Sequence, residues 1–171
     1  MNLSKYSYDY YRARSEALRE WENLRCMNIV HNYDDLLDKY STLLPLLKDN
    51  YRYIYDYGYI LHKSGKYDES NQILEMGTLI SSDPMFYNII GKNYEALGYY
   101  ELAKEKYWHS HYMVPGRLYP LILLEELHLK LGEFDEAKDL LNIINKMHIN
   151  ERNQMMVDLK WRANNSFQTM E

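Results

Sequence analysis

Apolar and small residues recur at three- and four-residue spacing along most of this chain, the period of one face of an α-helix. Ile54, Tyr57, Gly58 and Leu61 form one stripe, followed by Ser70, Leu74 and Gly77 on a second. Tyr87, Ile90, Gly91 and Tyr94 form a third, followed by Ala103, Tyr107 and Ser110 and closed by Pro115. The stripes are copies: Gly58, Gly65 and Tyr67 return as Gly91, Gly98 and Tyr100 one 33-residue step later, and Gly132 follows Gly98 by 34. The third copy runs from about Leu118 to Met147 through Leu121, Leu124, Phe134, Ala137, Leu141 and Ile144. Such a pattern predicts helix pairs in which large residues fill the seam while glycine or alanine lets the helices approach. Gly91→Leu would overpack that seam at about 1–3 kcal/mol.

Boundary signals agree with the stripes. Ser82 or Asp83 supplies a capping side chain, and Pro84 falls in the first turn, where its missing amide hydrogen does no harm. Gly65 and Gly98 stand where a first helix stops, a place that favours positive φ. Tyr67 and Tyr100 follow them and are expected to pack under the turn. Upstream, His31 to Leu36 with Tyr40 and Leu43 reads as the second helix of a degenerate pair. Its first helix lies within Tyr6 to Ile29, on Leu18, Trp21, Leu24 and Met27 or Cys26. Downstream, Glu151 to about Phe167 carries Met155, Met156, Leu159 and Ala163 on one side, with Arg152, Lys160 and Arg162 elsewhere, as a capping helix requires.

A helix-turn-helix unit of about 34 residues with these glycines is identified as a tetratricopeptide repeat. The expected fold class is all-α, a right-handed solenoid of about nine antiparallel helices. Its single domain comprises a degenerate repeat at 1–49, repeats at 50–83, 84–117 and 118–149, and a capping helix at 150–168. The third clear copy departs at two points: Glu125 occupies the position of Gly58 and Gly91, and His128 that of Leu61 and Tyr94. A buried glutamate there has to turn out of the seam or find a partner.

Resemblance to this repeat implies a concave groove lined from the first helix of each pair. The positions are Tyr55 and Tyr59, Asn88 and Lys92, and Ile122 and Glu126, with Trp21 and Arg25 from the degenerate repeat. Arg52 and His62 share the face of Tyr55 and Tyr59, and Glu95 is a further groove residue, a hydrogen-bonding group with Asn88 or Glu126 where the ligand is a glycan. The expected ligand is a protein or peptide segment stacking on the tyrosine rings, with Lys92 or Arg52 meeting a carboxylate. Adaptors of this type clamp a terminal carboxylate with Lys and Asn at defined positions; Tyr55, Tyr59, Asn88 and Lys92 do not reproduce that clamp.

Composition narrows the function further. The net charge of −5 argues against nucleic acid, whose phosphates need a basic surface. Nineteen tyrosines against three phenylalanines suit a thin array in which rings pack while hydroxyls stay wet. The tyrosine-rich start, Tyr6, Tyr8, Tyr10 and Tyr11, reads either as a partner-contact segment or, as the better reading, with Tyr6, Tyr10 and their neighbours half-buried on the first long helix. One cysteine, Cys26, excludes an internal disulfide. The longest apolar run, Leu121 to Leu124, is far too short to span a membrane. Glu125 and His128 have a Glu-x-x-His spacing that metal proteins use, but no second pair exists, so a packed His128 is the better reading. His109 and His111 point to different helix faces. No catalytic, metal or cofactor motif is present, and the chain reads as non-enzymatic.

Ser81 to Tyr100, Met113 to Leu121 and Tyr40 to Asn50 carry a narrower likeness. Across about 33–147 they resemble the C-terminal region of O-antigen ligase or polymerase-like membrane proteins of Bacteroides-type bacteria, in which a membrane domain precedes extracytoplasmic repeats. The resemblance implies an extracytoplasmic docking domain, with any transferase activity in a membrane part absent from this chain. A glycan-binding accessory domain and a free cytoplasmic adaptor stay open as alternatives. The partners implied are a protein or peptide, the chain's own membrane domain, or a second copy.

Overall fold

The computed structural model describes residues 3–26, 33–150 and 152–168; Met27, His31, Asn32 and Glu151, and the side chains of Tyr6, Cys26 and Phe167, lie outside the description. The described residues form nine helices packed in consecutive antiparallel pairs: α1 Leu3–Cys26, α2 Tyr33–Leu47, α3 Tyr51–Lys63, α4 Tyr67–Thr78, α5 Met85–Ala96, α6 Tyr100–Met113, α7 Tyr119–Leu131, α8 Phe134–Lys146 and α9 Gln154–Gln168. The chain divides into two compact units, Met1–Ser81 with α1 to α4 and Ser82–Glu171 with α5 to α9.

The repeated glycines act in two ways. Gly65, Gly98 and Gly132 have φ of 79°, 82° and 75°, the left-handed turn that ends a first helix. At each, the glycine amide bonds the carbonyl three residues back (His62, Glu95, Leu129), and the next amide reaches five back to Leu61, Tyr94 or His128. Gly58 and Gly91 instead serve close packing. A Cβ on Gly58 would stand 2.4 Å from Leu74, and one on Gly91 2.4 Å from the Tyr107 ring. The Ser70 hydroxyl bonds the Gly58 carbonyl at 2.7 Å across the same seam.

Caps fix where the helices start. Asp83 Oδ1 accepts the Met85 amide at 3.0 Å, with Pro84 already at helical φ and ψ. Asn50, which the sequence pattern did not single out, accepts the amides of Arg52 and Tyr53 and starts α3. Basic side chains from other helices close two C-terminal ends: Arg14 donates to the Leu46 carbonyl, and Lys160 to the carbonyls of Asn145 and Met147.

The tyrosines are not all at wet boundaries. In the first unit Tyr40, Tyr53 and Tyr57 stack at 5.6–6.2 Å between centroids, with the edge of Trp21 at 6.0 Å from Tyr53. Tyr53 donates its hydroxyl to the Tyr40 carbonyl, so its ring is sealed without orphaning the oxygen. Burial raises the pKa of Tyr40 and Tyr53 above the ordinary phenol value. In the second unit Tyr107 joins Leu118, Leu121, Ile122, Leu124, Ile144 and Ala163 in one core. Conversely, Tyr10, expected half-buried, is exposed, as are Tyr8 and Tyr11.

Candidate functional site

In the first unit, Arg52, Tyr55, Tyr59 and His62 follow one another at three- and four-residue steps along α3 and share a face. The rings of Tyr55 and Tyr59 stack, with centroids 6.4 Å apart and planes 7° from parallel. His62 continues the row 6.3 Å from Tyr59, and Tyr67 at the start of α4 extends it a further 5.8 Å. Tyr59 is 39% exposed, while Tyr55, His62 and Tyr67 are half-buried. Tyr67 therefore does pack at the turn, with its ring added to the row.

Two cations flank these rings. Lys63 Nζ lies 6.0 Å over Tyr59, and Arg52 lies 5.7 Å over Tyr51 while donating to its hydroxyl at 3.2 Å. Both are exposed, and neither forms an ion pair with another described residue. The one acid on α3, Asp56, is already engaged: one oxygen takes Trp21 Nε1 at 3.1 Å and Arg25 Nε at 2.9 Å. Burial raises the Asp56 pKa, and the Arg25 charge and both hydrogen bonds pull it back. Trp21 is 5% exposed, so it braces α3 from below and does not line a surface. Arg25 sits 5.3 Å over the Trp21 ring in the same brace.

In the second unit the corresponding positions are occupied from within. Asn88 and Ile122 are fully buried and do not reach a surface. Ile122 belongs to the core, and the Asn88 amide is left with Met85 Sδ at 3.5 Å. Lys92 Nζ is tied to the Tyr119 hydroxyl at 2.6 Å and lies over that ring. Glu95 accepts from Lys130 at 3.0 Å and from the Tyr107 hydroxyl at 3.1 Å. Glu126 is held by Arg162 of α9 at 2.7 Å.

The two departures of the third copy resolve here. Glu125 is fully buried and finds its partner on α9, accepting the Ser166 hydroxyl at 3.2 Å. Burial pushes its pKa up to about 7; the Ser166 bond and the Arg162 charge oppose the rise, and neighbouring Glu126 adds to it. His128 turns the other way, with Nδ1 2.6 Å from Glu133, which also takes Lys104 at 2.8 Å. Glu125 and His128 therefore do not converge on a common point. The His109 ring lies tilted 4.2 Å from that of Tyr87, away from His111, which lies beside Trp108. Among the described residues no three His, Cys, Asp or Glu side chains are grouped to hold a metal ion, and no helix is long and apolar enough to cross a membrane.

No protein-family model and no curated protein matches this sequence. Solved structures share its fold. A crystal structure of MamA superposes with a TM-score of 0.64 at 15% identity, covering 82% of this chain and 91% of that one. MamA residues 41 to the end from Desulfovibrio magneticus RS-1 gives 0.69 at 14% identity, over 77% and 75%. The Yersinia enterocolitica type III secretion chaperone SycD, in complex with a peptide of the translocator YopD, gives 0.60 at 21% identity, over 68% and 88%. The fold is tetratricopeptide-like.

Proposed function

We propose that this chain is a protein-interaction module that captures a segment of a partner protein on the α3 face of its first unit. The observation that carries the reading is the row Tyr55, Tyr59, His62 and Tyr67, flanked by Arg52 and Lys63, which form no ion pair among the described residues. Stacked, partly exposed rings supply contact area at low conformational-entropy cost, and unpaired cations orient a carboxylate or a carbonyl. Peptide capture by a fold of this type has a precedent in SycD with its YopD peptide. The finer expectation, a periplasmic docking domain of a surface-glycan ligase-like protein, rests on the turn segments of the sequence and gains nothing from these fold matches.

The test is a selection of peptides from a displayed random library against the whole protein, followed by anisotropy titration of the selected peptides. The expected result is that Tyr55→Ala with Tyr59→Ala weakens binding about tenfold or more while the helix content is unchanged. Undiminished binding to that variant removes the α3 reading. Saturable binding of oligosaccharides, with no peptide selected, would assign the same rings to a glycan instead.

A further inference from the structure

The last helix is fastened differently from those it lies on. α9 packs on α7 and α8, and much of what holds it there is polar. Lys160 donates to the carbonyls of Asn145 and Met147 at the end of α8. Asn164 and Asn145 exchange amide hydrogen bonds at 3.1 Å, and Arg162 holds Glu126 at 2.7 Å. Among the described apolar side chains of α9 only Ala163 is fully buried. Met156 and Leu159 lie partly buried against the same core, while Met155 and Trp161 are exposed. A helix with so few buried apolar side chains opens at lower free energy than the pairs beneath it.

Under this helix lies Glu125, the one fully buried carboxyl among the described residues. The Ser166 hydroxyl of α9 stands 3.2 and 3.4 Å from its two oxygens, so α9 covers the group itself. The charged groups that act on it are Glu126 on its own helix and Arg162 on α9; α5, α6 and α8, which also pack on α7, bring none to bear among the described residues. His128, one turn further along α7, is turned to Glu133 instead. We infer that α9 is a pH-gated strap, closed over α7 while Glu125 is protonated and lifted from it when Glu125 ionises. A carboxylate sealed from water is costly, and the cost vanishes once water reaches it. Lifting α9 uncovers Glu125 yet leaves the α5–α6 and α7–α8 pairs in place, so the strap yields before the rest. Arg162 does not rescue the closed, ionised form, because its guanidinium is already engaged by Glu126. Burial thus outweighs Ser166 and Arg162, holding the Glu125 pKa near 7 under the closed strap against an ordinary 4.5. The preference for closure is therefore complete below pH 4.5 and is lost as pH rises through about 7.

Hydrogen exchange of the full chain, read by mass spectrometry helix by helix and corrected for the intrinsic rate at each pH, tests this. Protection of residues 154–168 should fall about tenfold from pH 6 to pH 8, the ratio set by a pKa near 7 closed and 4.5 open, while α5 to α8 keep theirs. Glu125→Gln and Glu125→Leu should each leave α9 equally protected at both pH values, since neither side chain ionises. Protection of α9 that does not change with pH, a loss shared by α5 to α8, or a fall that persists in both variants overturns the inference. The wild-type comparison between helices decides the matter even where a variant fails to fold.

Discussion

The α3 face of the first unit and the α5 and α7 positions of the second occupy the same register of the repeat, yet they differ in burial. At one register position stand Tyr55, Asn88 and Ile122; at the next stand Tyr59, Lys92 and Glu126. In the first unit the pair is a parallel ring stack beside cations that form no ion pair among the described residues. In the second unit two of the four side chains are buried, and the other two are bonded to Tyr119 and Arg162. Repeat register thus places a side chain around its helix, while the neighbouring helix decides whether solvent or a ligand reaches it. The same position carries partly exposed rings in one unit and serves cohesion in the other.

The contrast fails if the two faces respond alike to substitution. Ile122→Ala should cost about 2–5 kcal/mol in urea denaturation, because a fully buried aliphatic chain leaves a cavity. Tyr55→Ala, at the same register, should cost much less. Equal losses would mean that Tyr55 is a core residue. Gly91→Leu should cost about 1–3 kcal/mol, and more if the fully buried Tyr107 ring cannot move.

Glu125 gives the second unit a pH dependence around neutrality. Its folded pKa stands near 7 against an ordinary value of 4.5, so the folded form holds a proton that the unfolded chain releases. The stability contributed by neutral Glu125 is fully present below pH 4.5 and is lost as pH rises through about 7. Denaturation midpoints should therefore fall between about pH 5 and pH 8, and Glu125→Gln should flatten that part of the profile. A wild-type profile that rises over the interval contradicts the buried, neutral carboxyl. The smallest effect is expected at the α9 ion pair: a Glu126→Ala and Arg162→Ala cycle should give a coupling of no more than about 1 kcal/mol, as both side chains are partly solvated.

The helices and turns were legible because their causes are local. A glycine needing φ near 79° at residue 65 or 82° at residue 98 announces itself by type, and Asp83 before Pro84 does the same. Gly58 and Gly91 were readable as seam residues because nothing larger fits against Leu74 or Tyr107. Burial at the groove register was not legible: Asn88 and Ile122 have the angular position of Tyr55, and their exposure is set by packing that no periodicity reports. Nor was the partner of Glu125, since Ser166 lies 41 residues away on another helix. The aromatic row on α3 was half visible, with Tyr55, Tyr59 and His62 given by spacing and Tyr67 added by the turn that folds α4 back. Spacing left the exposure of Tyr8 and Tyr11 undecided between a contact segment and half-burial, since a tyrosine on a long amphipathic helix suits either side.

Binding of one selected peptide, measured by calorimetry against Tyr59→Ala and Lys92→Ala side by side, separates the two surfaces, because the two residues hold the same register in different units. An affinity loss of about tenfold or more is expected for Tyr59→Ala and none for Lys92→Ala. A loss confined to Lys92→Ala would contradict the α3 reading and move the recognition surface to the second unit.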